Sequence, residues 1–159
     1  MHHSQDIKIT VIGKTEPEAA DKLCALHQNS FTNGWSQGSF LKFLQNENAL
    51  IFGATKAKTT QLVGFIVLQT VIDQAEILTL TVCPNHKRQG IATALCETAC
   101  EHLKKINIHT LFLEVDDTNV AAVMLYEKLG FQNIGRRKGY YKKQHISTFN
   151  DAIMMQYKF

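Results

Sequence analysis

Polar and apolar positions alternate over residues 8–12 (Lys8, Ile9, Thr10, Val11, Ile12), the period-2 rhythm of a half-buried strand. Thr15 and Glu18 then stand in capping-box spacing around Pro17, which predicts a helix reaching about Gln28. Residues 31–35 read as a loop, and Ser36 as the cap of a short second helix carrying Phe40, Phe43 and Leu44. Apolar runs at 49–54, 63–71 and 76–82 predict three more strands, joined by a Lys/Thr-rich hairpin at 55–60 and a turn at Asp73-Gln74.

Pro84-Asn85-His86 breaks that run, and the rhythm lengthens to a helical one from about Gln89 to Lys105. Ile91, Leu95, Ala99, Leu103 and Ile106 form its apolar stripe, while Glu97, Glu101 and Lys104 face away. Residues 110–115 predict a fifth strand. Thr118 is placed to cap a helix that ends at Leu129, with Gly130 as its stop. Strands at 131–134 and 152–157 close the pattern, joined by a basic, Tyr-rich connection. Strands first, then strand–helix–strand–helix–strand, predict a mixed α/β sheet in one domain spanning residues 1–159.

Composition narrows the function classes. The chain has 159 residues, 45% hydrophobic and 19% charged, enough for one substantial core and too apolar for extensive disorder. A net charge of +3 suits an anionic ligand, but no dense Lys/Arg stripe or aromatic platform points to nucleic acid. No apolar run approaches the roughly eighteen residues of a membrane span, and residues 1–6 lack the apolar core of a signal peptide, so a cytoplasmic location is the default expectation. His86, Cys96 and Cys100 can be written as part of a zinc-like pattern with Cys83, yet Cys96 and Cys100 follow the helix's own apolar rhythm. No metal is expected.

The candidate chemistry lies between residues 80 and 131. Arg88-Gln89-Gly90-Ile91-Ala92-Thr93 opens a helix directly behind a strand, where unpaired N–H groups and the helix dipole attract phosphate oxygens. Gly90 allows close backbone approach, and Arg88 can add a charge-assisted hydrogen bond. Glu114 interrupts Leu111-Phe112-Leu113-Glu114-Val115, a run that reads as a strand covered on both faces. A carboxylate there is either paired or raised in pKa, and the latter suits a general base. Asn119 and Tyr126 are two helical turns apart on one side of a helix; the amide can donate and accept, and the phenol can protonate a departing thiolate. The bland alternatives remain open for each: a capped helix with a surface Arg, a strand-end Glu reaching solvent or pairing with a Lys, and a packed Tyr.

Together these residues resemble the Gcn5-related N-acetyltransferase (GNAT) family. Leu113-Glu114-Val115, Asn119, Leu125-Tyr126-Glu127, Leu129-Gly130-Phe131, Arg136-Arg137, Tyr140-Tyr141, the stretch 151–155 and Trp35 resemble in particular its bacterial ribosomal-protein alanine N-acetyltransferase (RimI-type) group. The resemblance implies a central mixed, mostly antiparallel sheet of six to seven strands flanked by about four helices. It implies acetyl-CoA as co-substrate, with Leu80, Thr81 and Val82 along the pantetheine and acetyl group. Arg88, Gln89, Gly90, Ile91, Ala92 and Thr93 would hold the pyrophosphate, and Asn119 the cofactor arm. Glu114 would act as base and Tyr126 as acid in direct attack by a substrate amine, with a protein N-terminus, as on a ribosomal protein, as acceptor. A small amine or a lysine side chain is the alternative acceptor, and a non-catalytic acyl-CoA-binding module the alternative function.

Three departures from the family pattern stand out. Ala92 replaces a second Gly, Asp116-Asp117 stand where relatives often carry a basic residue, and Lys138-Gly139 lengthen the segment between the Arg and Tyr pairs. His86 and His145 are candidate auxiliary bases or surface histidines.

Overall fold

The computed structural model describes residues 6–16, 18–142 and 149–159, with the side chains of 140–142 and 149 left out of account. Seven strands form one sheet in the order β1-β2-β3-β4-β5-β7-β6. They are β1 (Ile7–Val11), β2 (Ala49–Lys56), β3 (Leu62–Val71), β4 (Gln74–Val82), β5 (Thr110–Asp116), β6 (Gln132–Lys142) and β7 (Phe149–Lys158). Every neighbouring pair is antiparallel except β4 and β5, which are parallel. The helices are α1 (Ala19–Ser30), α2 (Gln37–Gln45), α3 (Ile91–Lys105) and α4 (Val120–Lys128). This is the mixed, mostly antiparallel sheet with four helices that the resemblance implies.

The sheet buries apolar side chains on both faces. On one, α3 packs Ile91, Leu95, Ala99 and Leu103 against Ile66, Leu68, Ile77, Leu111 and Leu113. On the other, Leu23 of α1 and Phe40 of α2 pack against Ile51, Phe65 and Val67. Cys96 is buried in the first cluster at 1% exposure, as the helical rhythm predicts for a small hydrophobe. Burial pushes its thiol up to about 12, so it stays protonated and inert.

Local chemistry corrects several expectations. The capping box at α1 does not form: Glu18 adopts a left-handed conformation with φ 61 and makes no side-chain cap, while Pro17 lies outside the described residues. Ser36 does cap α2, its hydroxyl accepting from the Ser39 amide at 3.2 Å. At α4 the cap is Asn119, not Thr118; its Oδ1 accepts from the Ala122 amide at 3.3 Å. Thr118 instead donates its hydroxyl to Asp116 Oδ1 at 2.8 Å. The β3–β4 turn falls one residue earlier than expected, with Ile72 left-handed at φ 57. The basic segment at 136–141 is strand, not connection, and lies within β6.

No helix among the described residues is long and apolar enough to cross a membrane. Leu95, wholly buried under the sheet, tests the packing. Leu95→Ala should lower unfolding free energy by about 2–5 kcal/mol, read as a lower urea midpoint at unchanged slope.

Candidate active site

The site exists because β4 and β5 part. They are paired from Gln74–Thr110 to Ile77–Leu113, after which β4 runs on to Val82 and β5 to Asp116 without pairing. At the same point β4 carries a bulge: Leu68 opposes Ile77, Val67 opposes Thr79, and Leu78 is the extra residue. A bulge bends its strand and increases local twist, which turns the end of β4 away from β5. Backbone groups of β4 that point away from β3 beyond Ile77 therefore face a gap instead of a neighbouring strand. The gap opens into a cleft of about 1320 Å³ that passes through the sheet.

The turn after β4 forms one end of the cleft. Arg88 and Gly90 are both left-handed, at φ 60 and φ 78. For Arg88 that conformation costs on the order of 1–3 kcal/mol, the kind of strain that persists where the backbone must point its amides in a set direction. Gly90 precedes α3 without any capping side chain, so the first-turn amides of the 15-residue helix have no intrahelical acceptor. A Cβ at Gly90 would meet nothing within 4 Å, so open space stands over the turn. A left-handed turn, bare amides, Arg88 at the rim and open space above fit a pyrophosphate.

Of the residues singled out from sequence, Leu80, Val82, Arg88, Gly90, Ile91, Ala92, Thr93, Glu114, Asn119 and Tyr126 line the cleft. Thr81 and Gln89 do not. Thr81 is 2% exposed and opposes Phe65, and its buried hydroxyl has no hydrogen-bond partner; Gln89 is exposed to solvent. Asn119 offers less than expected, because its carbonyl oxygen is engaged in capping α4. His86 lines the cleft, and His145 lies outside the described residues.

Glu114 and Tyr126 approach the gap from opposite faces. Leu111, Leu113 and Val115 of β5 point into the α3 core, so Glu114 points to the other face. That face is not covered at β5, contrary to the sequence reading, and the β5 side chains alternate between buried and half-buried. The carboxylate is paired: Glu114 Oε1 lies 2.7 Å from Arg137 Nη2 of β6. An ion pair with one partner half exposed adds little stability, about 0–1 kcal/mol, so its main effect is to set the carboxylate's orientation. Tyr126 is 6% exposed, on the α3 side, with its ring edge-on to Phe131 at 5.5 Å.

A polar lattice holds β5, β6 and β7 together at the cleft's rim. Arg136 Nη1 donates to Asp117 Oδ2 at 2.8 Å and to Asp151 Oδ2 at 3.1 Å, and the Gly139 amide donates to Asp151 Oδ1 at 2.9 Å. The bonds from Gly139 and Arg136 hold the Asp151 carboxyl below its ordinary range. Asn150 Nδ2 donates to both oxygens of Asp116, at 3.1 and 3.0 Å. The acidic pair at 116–117 is thus answered from β6 and β7. The extra residues Lys138-Gly139 form a bulge in β6, with Gly139 left-handed at φ 63.

Two paired cleft residues escaped the sequence reading, His27 and Thr79. His27 of α1 is 3% exposed and lies in an aromatic nest with Phe31, Trp35, Phe40 and Phe65, at centroid distances of 4.5, 4.9, 5.6 and 6.1 Å. Its Nδ1 accepts from the Trp35 amide at 3.0 Å, and its Nε2 is 3.1 Å from Thr79 Oγ1. A histidine inside an amphipathic helix gives no sequence signal, and its partners stand 8 and 52 residues away.

A fold of this kind, with strands parting over a helix-start anion turn and a carboxylate and a phenol lining the gap, fits an acyl-transfer enzyme. The model of the Acetyltransferase (GNAT) family matches residues 20–131, and the chain belongs to that family. It is an acetyl-CoA-dependent N-acetyltransferase. It is 36% identical over 140 residues to the ribosomal protein bS18-alanine N-acetyltransferase of Escherichia coli (strain K12), covering 87% of this chain and 91% of that one. Against the Haemophilus influenzae enzyme of the same name, identity is 31% over 149 residues, covering 94% and 99%. The crystal structure of the ribosomal-protein-S18-alanine N-acetyltransferase from Escherichia coli matches with a TM-score of 0.86 at 31% identity, covering 96% of this chain and 93% of that one. Among the described residues, no three metal-ligating side chains cluster.

His27 generates a prediction of its own. Burial lowers its pKa from 6.5 to about 4. Above pH 6.5 it is neutral in both folded and unfolded chains; as pH falls from 6.5 toward 4, the unfolded chain takes up the proton first and folding is disfavoured. Thermal midpoints should therefore decline across that window, and His27→Gln should flatten this part of the decline.

Proposed function

We propose that the chain acetylates the N-terminal α-amine of a protein, a ribosomal protein with N-terminal alanine above all, with Glu114 as base and Tyr126 as acid. The observation that carries this reading is the placement of Glu114 and Tyr126 on opposite faces of the gap between β4 and β5. One face can receive the acceptor while the other receives acetyl-CoA. The names of its 31–36% identical relatives support the acceptor class. The whole of residues 1–159 acts as one acetyltransferase domain, and a ribosomal acceptor would be met in the cytoplasm, where ribosomal proteins are made.

Acetyl-CoA supplies an acetyl thioester and an anionic tail. The turn at 88–93 grips the tail's pyrophosphate through main-chain amides and Arg88, and Leu80 and Val82 line the path of the arm. Backbone amides of β4 past the bulge polarise the thioester carbonyl. Asn119 offers its side-chain NH2 to the arm. Glu114, held by Arg137, takes a proton from the amine through a water, so that the nitrogen lone pair is free to attack. As the new C–N bond forms and the C–S bond breaks, Tyr126 gives its proton to the leaving sulfur.

The demand on the base is modest. An α-amine with a reference pKa near 8 is about one-tenth neutral at pH 7, whereas a lysine near 10.4 is neutral in less than about one-thousandth of molecules. Glu114→Gln should therefore lower kcat at pH 7 by roughly tenfold to a hundredfold, with the deficit shrinking toward pH 9 as the amine deprotonates unaided. The assay is thiol release from acetyl-CoA with two peptides, one with a free N-terminal Ala and no lysine, the other N-terminally blocked but carrying a lysine. Turnover confined to the first supports the proposal. Turnover confined to the second overturns the acceptor, and silence on both with acetyl-CoA still bound favours a small-amine acceptor or a non-catalytic binding module. Full activity in the Glu114 variant removes the base.

A further inference from the structure

The bulge at Leu78 decides where Thr79 points. Without it, Thr79 would share a face with Ala75 and Ile77, whose side chains enter the α3 core. With it, Thr79 opposes Val67, which belongs to the cluster under α1 and α2. Thr79 is thereby on the same sheet face as Glu114, is 9% exposed, and lines the cleft together with His27.

The hydrogen-bond directions around His27 are determined by its neighbours. Nδ1 accepts a hydrogen bond from the Trp35 amide, so the neutral ring carries its one N–H proton on Nε2. Nε2 therefore donates to Thr79 Oγ1. A hydroxyl that accepts in this way still has one proton to give, and among the described residues Thr79 makes no hydrogen bond that receives it. A buried donor left unmade costs free energy until an acceptor arrives. Burial keeps the imidazole neutral through the physiological range, so the direction of the bond does not reverse there.

We infer that Thr79 is an acceptor-binding residue and His27 its positioning residue: the Thr79 hydroxyl donates to the carbonyl oxygen of the acceptor's first residue. This rests on the α-amine reading above. An N-terminal residue carries that carbonyl three bonds from the attacking nitrogen, so a donor on Glu114's face of the same cleft can recognise it. A lysine ε-amine carries only methylenes at that distance and leaves the hydroxyl unsatisfied. The pair thus favours α-amines over lysines, and it does so by an unpaired buried donor instead of a steric wall.

The test compares Thr79→Val, which keeps shape and removes the hydroxyl, with Thr79→Ser, which keeps the hydroxyl. Thr79→Val should raise the KM for the free-Ala peptide about tenfold, leave the KM for acetyl-CoA nearly unchanged, lower the thermal midpoint because the His27 Nε2–H loses its acceptor, and narrow the preference over a lysine peptide. Thr79→Ser should restore the low KM. His27→Phe should raise the acceptor KM similarly, and the double variant with Thr79→Val should add nothing further, since both remove one hydrogen bond. If Thr79→Val does not fold, Thr79→Ala gives the same comparison without added bulk. A wild-type enzyme active on the free-Ala peptide, with acceptor KM and selectivity unmoved in the hydroxyl-less variant, overturns this inference alone. A wild-type enzyme that acetylates only the lysine peptide overturns it together with the α-amine reading.

Discussion

Two parallel strands that begin as partners and then separate organise everything else in this protein. β4 and β5 hold one another only from Gln74–Thr110 to Ile77–Leu113, and the bulge at Leu78 turns β4 away where pairing stops. Parallel pairing that lapses inside a sheet would ordinarily leave costly unpaired backbone. Here the same groups face a cleft, and an extended ligand can complete them as an added strand would. The rest of the fold keeps the gap open. α3 braces β4 from one side through Leu95 and Ile91, and α1 with α2 braces β3 and β4 from the other through Leu23 and Phe40.

Because the gap passes through the sheet, its two faces have different chemistry. The α3 face presents the left-handed turn at Arg88 and Gly90, the bare start of α3 and Tyr126. The opposite face presents Glu114 with Arg137, and Thr79 with His27. On the proposed mechanism each face takes one substrate, an anionic thioester on the first and an amine on the second, and the reacting atoms meet in the gap. Arg136 and Arg137 serve this division by geometry more than by stability. Exposed ion pairs contribute little to folding, but they tie β6 to β5 and β7 at the level of Glu114.

Periodicity alone located most of the elements, since strands and helices with one apolar face announce themselves. The turn at 88–93 was legible from a glycine between a strand and a helix, a pattern that a plain helix cap shares. Sequence pattern failed where a short-range rule met a competing local hydrogen bond or backbone conformation. Thr15 and Glu18 have the spacing of a capping box, yet Glu18 is left-handed and α1 starts without one. Asn119 displaced Thr118 as cap because Thr118 is held by Asp116. Strict alternation along β4 assigns Thr79 to the wrong face, because a bulge shifts the period by one and nothing local to Leu78 signals it. His27 was invisible for a related reason: its importance lies in contacts made across the fold.

Amide hydrogen exchange, followed residue by residue with and without acetyl-CoA, tests most directly whether the unpaired end of β4 is the cofactor's docking edge. Acetyl-CoA should slow exchange along residues 78–82 and 90–93, and leave residues 74–77, already paired with β5, unchanged. Protection that spared 78–82 while appearing elsewhere on the sheet would contradict the account, because the parting of β4 and β5 would then serve no ligand.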